Sequence, residues 1–366
     1  MTLNDKETAI VELIRENPYL SQQEMADQLN MSRPALANLI SGLTKRGIIT
    51  GRAYILSRDN EIVCIGGANV DRKFHLNEGA QLGTSNPATM TVSVGGVARN
   101  IGENLGRLGS TIRLLTVAGN DADWQLIQQQ SAVHMDVTAV GLLPGESTGS
   151  YSAVLSPDGE LVVAMANMEV YESLSIAYIE AHERLIANAT LAVIDLNCPK
   201  ETVEYVKERA LFHGTGLVIV PVSSPKMVRM PDNLEGVTWF ICNQDEAETY
   251  TGIAIQNDED WQLAVQGLLD VGAQNVAVTA GARGVMAGNT EGDILRFPAI
   301  QRATVEDVTG AGDAFVSGVL YGHLEGMDTR EAIQRGLVNA SKTLGSSYTV
   351  RPELSKAQIE IEMEEF

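Results

Sequence analysis

The sequence has 366 residues, a net charge of −21 and three cysteines, and these values narrow the class of protein. Hydrophobic cores rarely grow beyond about 250 to 300 residues, so one large and one small domain are expected. Affinity for nucleic acid depends mostly on positive charge, which the chain as a whole lacks. Its apolar runs are shorter than the roughly 20 residues of a membrane span, and its first residues lack an apolar signal core. We therefore expect a cytoplasmic protein with no membrane partner.

The charged residues are distributed unevenly, which indicates two parts of different character. The first 60 residues contain seven basic and seven acidic residues, so all of the excess negative charge lies in the remainder. We predict a first domain at residues 1–58 and a second at residues 61–366. Cys64, Cys198 and Cys242 stand far apart in apolar segments, without the spacing of metal ligands, which predicts buried free thiols.

Three short helices are predicted in the first domain. Apolar residues recur with helical spacing in each of them. Ser21 and Glu24 form a Ser-x-x-Glu capping box at the start of the second helix, and Ser32 caps the third. Three helices with a tight turn before the third resemble a helix-turn-helix module, and the alternating residues 47–56 would form its wing. These features predict a winged helix-turn-helix domain.

The third helix carries side chains that are suited to DNA. Arg33, Asn38 and Lys45 are expected on its exposed face, where such residues can contact base edges and phosphates. DNA is therefore an expected partner of residues 1–58. The alternative is a small helical domain used for dimer contacts or packing, because the segment is neutral rather than basic.

The stretch from Asp307 to Asp313 has the strongest chemical pattern in the chain. Gly310, Ala311 and Gly312 form a turn that leads into an apolar run with helical spacing, so their backbone N–H groups should lie at a helix N-terminus. Such a terminus attracts anions. Asp313 would then act as a general base that takes a proton from a hydroxyl as it attacks a phosphoryl group. The alternative is a helix cap preceded by a simple turn.

The string Asp-Val-Thr-Gly-Ala-Gly-Asp resembles the C-terminal signature of the PfkB or ribokinase family of sugar and nucleoside kinases. Gly-Gly-Val-Ala-Arg-Asn at residues 95–100 resembles the family's N-terminal signature. The resemblance covers roughly residues 61–352, with its motifs in the family's order. It implies a ribokinase-like three-layer α/β/α fold with a small β lid, and ATP and Mg²⁺ as cofactors. The alternation of strands and helices after residue 190 independently favours a mostly parallel sheet.

The acceptor substrate is expected at the end of the first apolar strand of the second domain. Asn69 and Asp71 follow that strand, where ligands bind in open α/β sheets. In the family these positions hold sugar hydroxyls, whereas an Asx turn is the alternative. Asn197 matches only in part, because many members have an acid there. The resemblance assigns substrate contacts to Asn69, Asp71, Gly95, Gly96, Asn100 and Asn197.

The nucleotide is expected at the ends of later strands. Asn243 and Glu246 match the family's Asn-x-x-Glu motif, in which the acid helps to hold Mg²⁺ through water. The resemblance also implies a monovalent cation, K⁺, at Asp307 and Thr309. Asn339, on the helical segment after the signature, is expected to face the adenine. The predicted ATP contacts are Asn243, Thr279, Gly281, Gly284, Gly312 and Asn339.

Two further segments, about residues 72–94 and 147–168, alternate in hydrophobicity around turns and predict strands of a small sheet. They resemble the family's lid, which closes over the sugar and often pairs with a second lid. A homodimer through the lid is therefore expected.

The form Gly-Gly-Val-Ala-Arg-Asn looks most like the pseudouridine kinases within the family. We therefore expect ATP-dependent phosphorylation of the 5′-hydroxyl of pseudouridine, giving pseudouridine 5′-phosphate. Inosine, guanosine and ribose are alternative substrates of the same class. A rival of another class is a transcription regulator whose kinase fold only senses a nucleoside or sugar, although such a sensor has no use for an intact Asp313.

Overall fold

The computed structural model describes residues 3–16, 20–46, 48–49, 61–301 and 305–366. The chain divides into two compact units, Met1–Ser57 and Arg58–Phe366. Within the described residues, no helix combines the length and the apolar character required to cross a membrane. The predicted wing lies outside the described residues except for Ile48 and Ile49.

The first unit contains three helices, α1 (Asp5–Glu16), α2 (Gln22–Gln28) and α3 (Arg33–Lys45). The predicted capping box is confirmed, because the Ser21 hydroxyl accepts the Glu24 N–H and the Glu24 carboxylate accepts the Ser21 N–H. Apolar residues from all three helices form one small core. Its buried members are Ile10, Met25, Ala26, Leu36, Ile40 and Leu43.

The second unit begins at the next strand and contains the remaining elements. The strands are β1 (Glu61–Ile65), β2 (Asn69–Leu76), β3 (Ala88–Gly95), β4 (Thr111–Leu115), β5 (Val117–Gly119), β6 (Gly141–Leu143), β7 (Ser150–Leu155), β8 (Leu161–Asn167), β9 (Leu191–Asp195), β10 (Gly216–Val220), β11 (Trp239–Asn243), β12 (Asn275–Thr279), β13 (Val285–Asn289) and β14 (Leu295–Phe297). The helices are α4 (Val97–Arg107), α5 (Ala122–Ser131), α6 (Ile176–Ala181), α7 (Glu183–Asn188), α8 (Lys200–His213), α9 (Gln244–Thr251), α10 (Asp258–Asp270), α11 (Ala311–Leu324), α12 (Thr329–Leu344) and α13 (Lys356–Glu364).

A central sheet has the strand order β14-β13-β12-β11-β10-β9-β1-β4. The strands from β12 to β4 in this order are parallel, and β13 pairs antiparallel with both of its neighbours, β12 and β14. Successive residues of β1 point to opposite faces, so Val63 and Ile65 enter one hydrophobic core while Ile62 and Cys64 enter the other. A sheet covered on both faces explains why its strands are continuous apolar runs. The predicted three-layer α/β/α fold is confirmed.

The lid is a separate four-stranded sheet with the order β3-β2-β7-β8. It begins at Asn69 rather than near residue 72, so the predicted substrate residues Asn69 and Asp71 stand on its strand β2. The register places Arg72 opposite Val92 and Phe74 opposite Met90. Val92 and Met90 are about half exposed, so this face of the lid is open and partly apolar.

The C-terminal helix is held by a buried ion pair. Arg351 and Glu362 are 1% and 3% exposed, and the guanidinium donates to both carboxylate oxygens at 2.7 and 2.6 Å. Bidentate geometry of this kind is strong and directional. The pair fixes the segment around Thr349. The backbone at position 310 packs so closely against the Thr349 carbonyl oxygen that a Cβ there would lie 2.2 Å from it, so this contact requires glycine.

Replacement of Glu362 by Ala should destabilise the second unit by about 3–5 kcal/mol, because the buried Arg351 guanidinium loses its bidentate carboxylate and keeps only the Asn339 amide oxygen and the exposed, more distant Glu353. All three tryptophans, at 124, 239 and 261, lie in this unit, so denaturant unfolding followed by tryptophan fluorescence measures its stability. The control is Glu360→Ala, because Glu360 on the same helix pairs with Arg335 but is 45% exposed. A loss no larger than that of the control would contradict the prediction.

Candidate active site

The site is organised around Asp195, which sequence reasoning missed. This carboxylate, at the carboxyl end of β9, is fully buried. It accepts the backbone N–H groups of Gly67 at 2.9 Å, Ala98 at 3.0 Å and Asn197 at 2.8 Å. Burial raises its pKa, and these hydrogen bonds oppose the rise. Asp195 therefore ties together the β1–β2 loop, the start of α4 and the loop after β9.

The predicted substrate residues of β2 lie beside the Gly95-Gly96 turn. The Asn69 amide donates to Asp71 Oδ1 at 2.6 Å. A Cβ at position 95 would lie 2.2 Å from Asp71 Oδ2, so glycine is required for this close approach. Desolvation raises the pKa of Asp71 to about 6, although Lys73 and the Asn69 hydrogen bond counteract it. Asp71 thus presents a partly desolvated carboxylate with one oxygen already oriented.

The two helix N-termini that meet at the site are both preceded by glycine. Gly96 precedes α4 and Gly310 precedes α11, so neither N-cap residue supplies a side-chain hydrogen bond; at α4 the Asp195 carboxylate accepts the Ala98 N–H instead. Ser, Asn or Asp side chains cap α2, α3, α5, α6, α9, α10, α12 and α13, whereas α7 and α8 also lack a side-chain cap. Gly310 has a φ of 84°, and its neighbour Gly312 faces open space. The start of α11 is thereby left open, which suits the binding of an anion.

Asp313, in the first turn of α11, contacts the first turn of α4. The Asn100 amide donates to its Oδ2 at 2.7 Å. Its pKa is raised to about 7, chiefly by desolvation and further by the carboxylates of Asp195 and Asp71, while the Asn100 hydrogen bond lowers it. A carboxylate with a pKa near neutrality is well matched to general-base chemistry.

The predicted nucleotide residues lie farther along the same edge of the sheet. The register places Asn243, the last residue of β11, opposite Thr279, the last residue of β12. Asn243 and Glu246 also form a capping box for α9, with reciprocal hydrogen bonds of 2.9 and 2.8 Å. The Asn-x-x-Glu motif therefore has a structural role as the N-terminal cap of α9. Gly281 follows β12 after one intervening residue, Ala280, and Gly284 ends the same turn.

Asn339 does not belong to this group. Its side chain is fully buried, and its amide donates to the Ala314 carbonyl oxygen at 2.9 Å and to Asn104 Oδ1 at 3.2 Å. Its side-chain oxygen Oδ1 accepts hydrogen bonds from Arg351. The expectation that Asn339 faces the adenine is thus corrected, because these bonds connect α12 to α4, α11 and the C-terminal segment.

Lys73 is a further residue that sequence reasoning missed. Its ammonium group donates to Asp307 Oδ2 and, at 3.1 Å, to Thr309 Oγ1. These are the two residues to which the family resemblance assigns a monovalent cation. The signal in the sequence is the period of two along β2, which places Asn69, Asp71 and Lys73 on one face of the strand. Among the described residues, no cluster of three or more His, Cys, Asp or Glu side chains could hold a metal ion.

Comparisons with known proteins match both units. Residues 3–50 match the model of winged helix-turn-helix DNA-binding domains. The Escherichia coli K12 pseudouridine kinase is 32% identical over 301 residues, covering 81% of this chain and 95% of the relative. The protein named uncharacterized sugar kinase YeiI, from the same organism, is 29% identical over 354 residues, covering 96% of this chain and 97% of the relative.

A solved structure, the carbohydrate kinase from Agrobacterium tumefaciens, superposes with a TM-score of 0.70 at 30% identity, covering 83% of this chain and 97% of that one. Residues 59–356 match the model of the pfkB family of carbohydrate kinases, which is well over half of the chain. This chain therefore belongs to the pfkB family of carbohydrate kinases and is a phosphotransferase.

Proposed function

We propose that the protein transfers the γ-phosphoryl group of ATP to the 5′-hydroxyl of a nucleoside, with pseudouridine as the first candidate. The observation that carries the proposal is the Asp313 carboxylate, which lies at an uncapped helix N-terminus, contacts Asn100 and has a pKa of about 7. The choice of pseudouridine is supported by the relative of that name at 32% identity and by the Gly-Gly-Val-Ala-Arg-Asn signature. Inosine, guanosine and ribose are the alternatives.

In the proposed reaction, Asp313 takes the proton of the 5′-hydroxyl as its oxygen attacks the γ-phosphorus, a new O–P bond forms and ADP leaves. The backbone N–H groups of Gly312 and its neighbours in the first turn of α11 stabilise negative charge on the transferring group. Asp71 accepts hydrogen bonds from vicinal ribose hydroxyls, since a carboxylate offers two acceptor oxygens. Desolvation of Asp71 strengthens these bonds.

The remaining substrate contacts are proposed for the turn and loop residues tied to Asp195. The small size of Gly95 and Gly96 allows a sugar to approach the backbone closely. The amide of Asn197 can form hydrogen bonds with sugar hydroxyls. We propose Asn100 as a further contact, since its amide already reaches the base.

ATP is proposed to bind farther along the same edge of the sheet, at Asn243, Thr279, Gly281, Gly284 and Gly312. A carboxylate is a suitable ligand for Mg²⁺, directly or through water, so Glu246 fits the predicted role. When bound, Mg²⁺ neutralises charge on the phosphate oxygens. Burial raises the pKa of Glu246, and its bond with the Asn243 N–H fixes its orientation toward the end of β11.

The acceptor is tested by ATP-dependent phosphorylation of a panel of pseudouridine, uridine, inosine, guanosine and ribose. We expect pseudouridine to give the highest kcat/KM.

Asp313→Asn should lower kcat by about two to four powers of ten and leave ATP affinity unchanged, because an amide cannot accept the proton. The control is Asp328→Asn, since Asp328 caps the exposed start of α12 and asparagine caps equally well.

Phosphorylation of no acceptor in the panel would contradict the proposed function. A fall of less than about fivefold in the kcat of Asp313→Asn, with its best acceptor, would instead contradict only the role of the base.

The pH dependence should report the unusual pKa of Asp313. Because the carboxylate must be ionised to accept a proton, kcat/KM should fall about tenfold per pH unit below a pH of about 7. Asn100→Leu removes a hydrogen bond that lowers this pKa, so the acid limb should move to higher pH while the rate near pH 9 changes less. An unchanged or lower apparent pKa in Asn100→Leu would contradict this assignment.

We further propose that the first unit binds DNA. The match of residues 3–50 to DNA-binding domains supports this, as does the exposure of Arg33, Asn38 and Lys45 on α3. A neutral domain makes few phosphate contacts, so two copies are needed for useful affinity.

We propose that a homodimer formed through the lid brings the two DNA-binding units together. An exposed apolar stripe on the face of the lid opposite Asp71 supports this contact, and it consists of Met90, Val92, Val163 and Met165.

Arg33→Ala combined with Lys45→Ala should weaken binding of the full-length protein to the DNA upstream of its own gene by at least about tenfold and flatten the salt dependence. Turnover should not change, because neither residue lies in the second unit. Fluorescence anisotropy of labelled DNA measures the affinity. Lys6→Ala is the control, as Lys6 is exposed on α1. Equal affinity of the double variant and the control would contradict the assignment of α3.

A further inference from the structure

We propose that the ammonium group of Lys73 acts as a built-in replacement for a monovalent cation at Asp307 and Thr309, so that the kinase works without K⁺. The inference concerns the same site as the proposed function and rests on it. It reverses the expectation of a K⁺ site that came from the family resemblance. Lys73 is a positioning residue in this account, because it acts on the turn that begins α11 rather than on the reacting atoms.

The contacts of Lys73 place a positive charge between the two sequence-predicted cation ligands. Its ammonium donates to Asp307 Oδ2 and to Thr309 Oγ1, the latter at 3.1 Å. The side chains of Lys73 and Asp307 are 24% and 29% exposed, so this pair is partly buried. An ammonium has three donors and no acceptor, which suits two oxygen ligands in this way.

The remaining oxygen of Asp307 is also engaged. Asp307 Oδ1 accepts the Thr309 N–H at 2.9 Å and the Thr309 hydroxyl at 2.7 Å. Asp307 contributes one negative charge, which the single positive charge of Lys73 matches. A bound K⁺ would set two cations against one carboxylate, and they would repel each other.

The position of Lys73 in the fold also lets its ion pair connect the lid to the turn before α11. Lys73 stands on β2 two residues after Asp71, on the same face of the strand. Asp307 and Thr309 precede Gly310, which begins the helix that carries Asp313. The ion pair thus connects the lid strand that holds the proposed substrate contact to the turn that forms the proposed anion site. A free ion would neutralise Asp307 without making this connection.

The first test measures the wild-type protein in KCl and in tetramethylammonium chloride at about 100 mM, with Mg²⁺ and the tetramethylammonium salt of ATP. Initial rates in the two salts should agree within about twofold. The melting temperature without substrates should also be the same in both. K⁺-specific activation above about twofold, or a K⁺-specific rise in melting temperature of about 2 °C or more, would overturn the proposal.

The second test uses Lys73→Met, which keeps the length of the side chain and removes the charge. In tetramethylammonium chloride its kcat should be at least about tenfold below that of the wild type, and K⁺ should restore at least about fivefold. Its melting temperature should rise in K⁺, because Asp307 and Thr309 then lack a cation. Lys73→Gln provides a second neutral variant should the first fold poorly.

The matched control is Arg72→Met, which removes a positive charge from the same strand but on its opposite face, where Arg72 pairs with Asp123. It should show no K⁺ response in rate or melting temperature. If the Lys73 variants behave like this control in both salts, the proposal is overturned. Because the melting experiment needs no acceptor, its result is independent of whether the proposed nucleoside activity is correct.

Discussion

The geometry of the site depends on one buried carboxylate. Asp195 has no exposed surface, and moving such a group out of water carries a large cost unless it is hydrogen-bonded. Three backbone N–H groups from three separate segments meet this requirement. Because Asp195 Oδ2 accepts two of them, the β1–β2 loop and the start of α4 are held at a fixed distance from the end of β9. The Tyr171 hydroxyl adds a second constraint on the same loop by bonding both the N–H and the carbonyl oxygen of Ala68.

The local patterns of the sequence were sufficient for the fold and for the positions of the main motifs. Continuous apolar strands alternating with helices predicted the parallel sheet, and the family match confirms the resemblance. The capping box at Ser21 and the buried free cysteines are confirmed as well. The sequence predicts these features because each is determined by residues close together in the chain, or by a periodicity that only one kind of secondary structure satisfies.

The contacts that assemble the site could not be predicted in the same way. Lys73 and Asp307 are 234 residues apart in sequence, and neither is unusual in its own segment. Asp195 ends an apolar strand, so its sequence context alone reads as an ordinary strand end. Asn339 was misassigned because a polar residue on a helix after the signature suggests an exposed contact, whereas its neighbours in space bury it. In each case the role of the residue depends on a contact with a residue far away in the sequence, and only the tertiary structure shows that contact.

The arrangement of contacts along the chain also bears on the order in which the protein is completed during synthesis. The core of the first unit uses residues within the first 43 positions, so it can close as soon as that segment leaves the ribosome. The second unit needs β9 to pair with β1 across more than 120 residues, and Gly310 needs the segment held by Arg351 and Glu362. Contacts of such long range form slowly. The first unit is therefore completed well before the second unit. A chain interrupted near its end would contain a folded first unit and an incomplete second unit.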